Sequence, residues 1–144
     1  MSVKQLRTAL DWERDKEQQL ARQFQLAQQQ SQAEQHKLSS LEQYRLEYLT
    51  MTQNRAADGV RATHFSQHQS FIGKLDKACE QQVLVINRVN MVTEQRKQQW
   101  LAQQRKRKAL EAVLEKREAQ HLSYLDRQEQ AMMDELALQK FLRK

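Results

Sequence analysis

The chain has 144 residues, of which 39% are hydrophobic and 29% charged, with no proline, two glycines and a formal net charge of +6. Compact domains reverse direction at Gly, Pro, Asn, Asp and Ser, so this composition disfavours folds that need many tight turns. Glutamine occupies 25 positions, which also suits a disordered chain, but the regular leucines and abundant helix-favouring residues predict long α-helices.

Cys79 is the single cysteine, so the sequence predicts neither an internal disulfide nor a multi-cysteine zinc site. The N-terminal stretch lacks the apolar core of a signal peptide. The most apolar run, Val83–Val92, is too short and too polar to span a membrane. We therefore expect a soluble cytoplasmic protein.

A heptad pattern predicts the first helix, over residues 3–52. With Val3 as an a position, nine of the fourteen a and d positions are apolar, as in a coiled-coil seam. The pattern lapses over residues 53–66, where Gly59 favours a reversal. It resumes with Ile72 at an a position and eight of fourteen apolar, which predicts a second helix over residues 67–143.

Two heptad helices joined by one loop pack antiparallel. We align the helices so that the numbers of two facing residues sum to 120, which centres the turn on Val60. This register pairs Leu6 with Leu114 and Leu10 with Leu110. The same register pairs Leu20 with Trp100, Leu41 with Cys79 and Tyr48 with Ile72. It places Glu13 opposite Arg107 and Glu17 opposite Gln103. Three expected pairs fit poorly, namely Glu34 with Ile86, Phe24 with Arg96 and Arg45 with Leu75.

The predicted fold is all-α: one elongated domain, residues 1–144, forming a long antiparallel two-stranded coiled coil with a longer C-terminal helix. At 1.5 Å per residue the two helices would measure about 75 and about 110 Å. Residues after about 117 would then have no partner within the chain. The apolar spacing also changes in this overhang, which relaxes the supercoil.

Basic residues concentrate in one band, Arg96–Lys108, which holds six lysines and arginines and no acidic residue. Such a band suits nucleic acid, an anionic membrane or an acidic protein surface. A solvated coiled-coil face explains it equally well. The sequence shows no fold of the usual nucleic-acid-binding modules.

Two helices offer no concave site in which catalytic groups converge, and the sequence has no phosphate-binding glycine loop. His64 and His68 are spaced for a metal, but no acidic or cysteine ligand lies within a turn of them. We therefore expect neither an enzyme nor a cofactor or metal site.

Two of the three tyrosines fall in the short stretch LEQYRLEY, residues 41–48. In the predicted register a strip of g and d positions on both helices surrounds them near the turn. Either the strip widens the core there, or its aromatic members form an exposed docking surface. The strip consists of Lys37, Leu41, Tyr44, Tyr48, Phe71, Leu75, Ala78 and Gln82.

LEQYRLEY, the segment FSQHQSFIGKLDKACEQQ at residues 65–82 and the long Gln- and Arg-rich helix that follows resemble the FliJ family of the flagellar type III export apparatus. The resemblance covers nearly the whole chain. It implies a cytoplasmic, non-enzymatic coiled coil similar to the central stalk (gamma) subunit of rotary ATPases. It implies three partners: the hexameric export ATPase FliI, the export gate protein FlhA and empty export chaperones.

The resemblance assigns gate binding to the apolar members of the strip: Leu41, Tyr44, Tyr48, Phe71, Leu75 and Ala78. Lys37 and Gln82 depart from the family pattern, where a glutamine and a histidine are expected. The resemblance also implies that the end away from the turn enters the ATPase ring. The basic residues predicted to contact the ring there are Arg7, Arg14, Arg105, Lys106, Arg107 and Lys108.

Three alternatives stay open at this point. The chain would equally suit the corresponding stalk protein of a virulence-type secretion system. A coiled-coil nucleic-acid binder would use Arg96–Lys108, and a self-associating scaffold would use residues 122–142. The flagellar interpretation places the protein at the flagellar base, peripheral to the cytoplasmic face of the inner membrane.

Overall fold

The protein is a helical hairpin. The computed structural model describes residues 1–57, 59 and 62–143, in which α1 spans Val3–Ala57 and α2 spans Ala62–Arg143. The start of α1 is a reciprocal cap: the Gln5 amide nitrogen donates to Ser2 Oγ (3.2 Å), and the Ser2 amide nitrogen donates to Gln5 Oε1 (2.9 Å). The predicted all-α hairpin with unequal helices is thereby confirmed.

The predicted helix ends next to the turn are wrong, because both helices run further than the heptad pattern does. α1 continues past residue 52 to Ala57, and α2 begins at Ala62 instead of residue 67. Loss of the heptad signals loss of a packed seam, whereas helix itself requires only compatible residues. Gly59 has a φ of 84°, a left-handed conformation that glycine adopts without strain. The predicted turn centre, Val60, lies outside the described residues.

The contacts divide the chain into two compact units, so the single domain predicted above stays a prediction. One unit joins Met1–Gln19 to Leu101–Lys144, and the other is Leu20–Trp100. In the first, Leu6, Leu10 and Leu114 form a buried cluster against which Val3 and Leu110 pack. The leucines that the register brings together at this end of the hairpin thus do share one cluster. Every residue from 119 to 143 is exposed, as predicted for the overhang.

The Leu20–Trp100 unit has a thinner core, in which Leu75 and Ile86 are buried. Thr93 Oγ1 donates to the carbonyl of Ala27 (3.2 Å), and the numbers of this pair sum to 120, as the register requires.

Phe24 does not pair with Arg96 as predicted. It stacks on Trp100 with 5.7 Å between ring centroids, while Arg96 reaches Gln23 Oε1 at the edge (3.4 Å). The ring planes are inclined by only 14°, so the two aromatic side chains stack.

Candidate functional site

An aromatic cluster joins α1 to α2 near the turn. The Tyr44 and Phe71 rings meet edge to face, with centroids 6.3 Å apart and planes at 86°. The Tyr48 ring centroid lies 4.7 Å from that of Phe71, with the planes at 58°, and the Tyr48 hydroxyl is hydrogen-bonded to His68 Nδ1. Edge-to-face contacts of this kind stabilise by about 1 kcal/mol beyond burial. The cluster therefore orders these rings even where water reaches them.

The cluster stays accessible. Tyr44 is 49% exposed, and Tyr48, Phe71 and His68 are half-buried. An aromatic group with apolar faces in solvent and a polar rim is the usual composition of a binding hot spot. The alternative of a wide closed core at this level is wrong for Tyr44, since half of its surface remains in water.

The other strip residues divide between surface and seam. Lys37 is exposed, and Leu41 and Ala78 are half-buried beside the rings. Leu75 and Gln82 are 7% and 8% exposed, which places them between the helices, and Gln82 is hydrogen-bonded to Glu34 there. The assignment of these residues to a partner stays a prediction.

His68 belongs to the cluster, although the sequence suggested only a weak metal site for it. It lies three residues before Phe71, so the two share a helix face, and that spacing was the available signal. Within residues 1–57, 59 and 62–143, no group of three or more His, Cys, Asp or Glu residues is arranged to hold a metal ion. In the same part of the chain no helix has a stretch long and apolar enough to cross a membrane.

Two Glu–Gln pairs cross the seam; Glu13 and both glutamines are buried, and Glu34 is half-buried. Gln82 Nε2 donates to the carbonyl of Glu34 (2.9 Å) and to its Oε2 (2.6 Å). Gln103 Nε2 binds Glu13 in the same way, through the carbonyl (3.1 Å) and Oε2. The pairs are 21 residues apart on both helices, which is three heptads. Glu34 therefore does not face Ile86 as predicted, and its carboxylate is satisfied by an amide one turn away.

Glu13 and Glu17, near the N-terminus, exchange their predicted partners. Glu13 pairs with Gln103 rather than Arg107, and Arg107 instead donates to both carboxylate oxygens of Glu17, at 2.7 and 3.1 Å. A bidentate guanidinium–carboxylate pair is stronger than a hydrogen bond from a side-chain amide. Pairing Arg107 with Glu17, one turn from its predicted partner, is therefore favoured. Arg45 likewise pairs with Asp76 rather than facing Leu75.

These contacts favour the ionised forms of the carboxylates. The Gln103 hydrogen bond, with a smaller contribution from Lys106, lowers the pKa of Glu13 despite its burial. The hydrogen bond from Arg107 lowers the pKa of Glu17 and of Glu111, and raises the pKa of Arg107 itself. All four groups are consequently charged at neutral pH.

Most of the predicted ring-contact residues already have partners inside the chain. Arg7 binds Glu118 (2.8 Å), and Arg14 lies 3.4 Å from Glu111. Lys106 lies 3.4 Å from Glu13. Four of the six basic residues, including Arg107, thus form ion pairs that hold α1 to α2. Arg105 and Lys108 are exposed and form no ion pair with any residue in the described ranges.

Comparison with known proteins agrees with the geometry. The sequence model of the family described as "FliJ: Flagellar FliJ protein" matches residues 1–144. Neither the curated proteins nor the solved structures include a match to the chain. Because the family match extends over the whole sequence, the chain belongs to the flagellar FliJ protein family.

Proposed function

We propose that the protein is a non-enzymatic stalk and coupling component of the flagellar type III export apparatus. In this role it inserts into the hexameric FliI-type export ATPase, promotes assembly and activity of the ring, and links the ring to the FlhA-type gate protein. It also handles empty export chaperones and works at the cytoplasmic face of the inner membrane. Hydrolysis belongs to the ring.

The observation that carries the gate-docking part is the Tyr44–Phe71 contact. Both helices contribute one ring, and Tyr44 remains 49% exposed although it is in contact with Phe71. A ring held in place but not covered loses little side-chain entropy when a partner covers it, which favours binding. Leu75, four residues after Phe71 on α2, is buried in the seam.

The ring-contact part is supported by Arg105 and Lys108, the two predicted ring-contact residues that form no ion pair with the residues that the structure describes. Arg7, Arg14, Lys106 and Arg107 are engaged across the hairpin, so we assign the ring contact to Arg105 and Lys108. A cation without an internal partner gives up no existing ion pair when it meets an acidic surface. Such contacts bias the ring by binding its nucleotide states unequally.

The test of docking is the double variant Tyr44→Ala with Phe71→Ala. We expect unchanged helix content by circular dichroism, intact stimulation of the export ATPase, and loss of binding to the cytoplasmic domain of the gate protein. Leu122→Ala with Leu125→Ala is the matched control, because it also truncates two large side chains, both of them exposed and outside the aromatic cluster. Wholesale unfolding of the tyrosine variant, or gate binding equal to that of the control, would refute the docking surface.

The test of ring contact is Arg105→Glu with Lys108→Glu, measured as stimulation of ATP hydrolysis. We expect stimulation to fall while gate binding persists. Lys74→Glu with Lys77→Glu is the control, since it reverses the same number of charges near the other end of α2. Tight nucleic-acid binding with a steep salt dependence, and no effect on the ATPase, would instead support the nucleic-acid interpretation.

A further inference from the structure

The aromatic cluster lies at one end of a longer apolar row on α2. Phe71 is followed at seven-residue intervals by Ala78, Val85 and Val92. Seven residues make about two turns, so the four side chains lie on one line along the helix. The first three are half-buried, and Val92 is 46% exposed. All four belong to the Leu20–Trp100 unit.

α1 completes a groove at the far end of this row. Leu26 and Gln30 of α1 line a depression together with Arg88, Val89 and Val92 of α2. Leu26 is 64% exposed, too much for a seam residue. Tyr44 and Gln30 are fourteen residues apart, or four turns, and therefore lie on the same edge of α1. The groove and the aromatic cluster are thus on one side of the hairpin.

The two edges of this unit differ in charge. The edge with the apolar row is mainly basic, with Glu47 as its acidic exception. The opposite edge is mainly acidic: Lys97 is its basic exception, and Arg45 reaches it from the seam to pair with Asp76. An apolar row beside cations favours a partner with an apolar stripe flanked by carboxylates. The basic residues are Lys37, Lys74 and Arg88, and the acidic ones are Glu42, Asp76, Glu80 and Glu94.

We propose that the docking surface extends from the aromatic cluster to Val92, and that it binds an amphipathic α-helix of the gate protein whose apolar face is flanked by acidic residues. Phe71 and Val92 are 21 residues apart, or about 32 Å along α2, which matches a partner helix of about six turns. A helix laid in a groove between two others covers such a row continuously. This inference rests on the gate docking proposed above.

The structure offers a matched pair of valines for the test. Val92 lies on the apolar row and Val83 on the opposite edge, and they are 46% and 43% exposed. We expect Val92→Glu to weaken binding of the gate protein's cytoplasmic domain by at least about thirtyfold, the fold-change that corresponds to a hot-spot loss. Val83→Glu should change binding less than about twofold, since surface changes outside an interface are near neutral. Circular dichroism checks that both variants fold.

A second pair of variants tests the basic residues beside the apolar row. Arg88→Glu places an acidic residue beside the row, whereas Lys97→Glu makes the same kind of change on the opposite edge. Arg88→Glu should slow association with the gate domain and reduce its dependence on salt. Equal effects of the two charge reversals would overturn the acidic-helix assignment.

The remaining outcomes separate this inference from the function on which it rests. Gate binding that is lost in Tyr44→Ala with Phe71→Ala but unchanged in Val92→Glu would overturn only the extension. A wild-type chain that does not bind the gate domain would overturn both. Vesicles containing anionic lipid form the last arm: vesicle binding lost in Val92→Glu, with gate binding intact, would identify a membrane surface and overturn the helix partner.

Discussion

The heptad pattern produces two different seams. In the unit that joins Met1–Gln19 to Leu101–Lys144, Leu6, Leu10 and Leu114 are 4%, 3% and 7% exposed. In the Leu20–Trp100 unit, next to the turn, the aromatic cluster packs against itself while Tyr44 keeps half of its surface in water. The first seam closes, and the second leaves a surface available.

The difference follows from side-chain size and heptad position. Leu6, Leu10 and Leu114 occupy a and d positions, and the two helices cover them almost completely. An aromatic ring brings about 150–250 Å² of surface, and Tyr44 occupies a g position at the edge of the seam. Two helices alone do not cover so much area. The uncovered part of the ring surface remains available to a further helix from a partner. The g position of Tyr44 and the size of its ring together explain why this part of the seam stays accessible.

The largest effect should come from the closed seam. Leu10→Ala removes a side chain that is 3% exposed and should lower the free energy of unfolding by about 3 kcal/mol. Urea denaturation followed by circular dichroism measures this. Leu122→Ala, at 62% exposure, should change it by less than about 0.5 kcal/mol. Equal costs at the two positions would mean that the closed seam does not exist.

The Glu–Gln pairs allow the same chemistry to be compared in both units. Gln103→Ala leaves the buried Glu13 carboxylate without its amide donor and should cost about 1–2 kcal/mol. Gln82→Ala should cost less, because Glu34 is half-buried and water can replace the lost donor. Urea denaturation of both variants checks the order. A larger cost for Gln82→Ala would reverse the contrast between the units.

Acid should weaken the contacts of the carboxylates in the unit that joins Met1–Gln19 to Leu101–Lys144. Glu13, Glu17 and Glu111 have pKa values lowered from the ordinary 4.5. Their stabilisation is fully present above that value and is lost as the pH falls through the lowered ones. We expect the thermal midpoint to be constant from about pH 7 to about pH 5 and to fall towards pH 3. Glu13→Gln with Glu17→Gln should flatten this fall, and an unchanged slope would contradict the ion-pair assignment.

The sequence predicted the closed seam better than its polar neighbours. The leucine spacing fixed the helices, their antiparallel register and the overhang, because period and apolarity together determine which faces meet. The leucine spacing gave wrong partners for Glu13, Glu17 and Phe24. Two candidate partners one turn apart on the facing helix fit the heptad pattern equally well, and side-chain length and hydrogen-bond geometry decide which of them makes the contact. His68 was missed as a member of the aromatic cluster for the same reason. The predicted helix ends near the turn were wrong because both helices continue beyond the last residues of the heptad pattern.

The smallest effect on stability should come from the overhang, and it separates folding from function. Residues 119–143 are exposed, but His121 and Leu122 lie beside the start of α1, so the informative deletion is 124–144. It removes exposed apolar residues such as Leu136 and Phe141 and should leave the urea midpoint unchanged, because none of them contributes to a buried cluster.

Stimulation of the export ATPase should nevertheless fall, because the exposed apolar side chains of residues 124–143 would add to the ring contact proposed for Arg105 and Lys108. Deletion of 111–144 is the contrasting variant, since it also removes Leu114 and should unfold the closed seam. If the shorter deletion destabilises the hairpin as much as the longer one, the overhang is part of the core. If it leaves ATPase stimulation intact, the ring contact lies in the paired region, with Arg105 and Lys108.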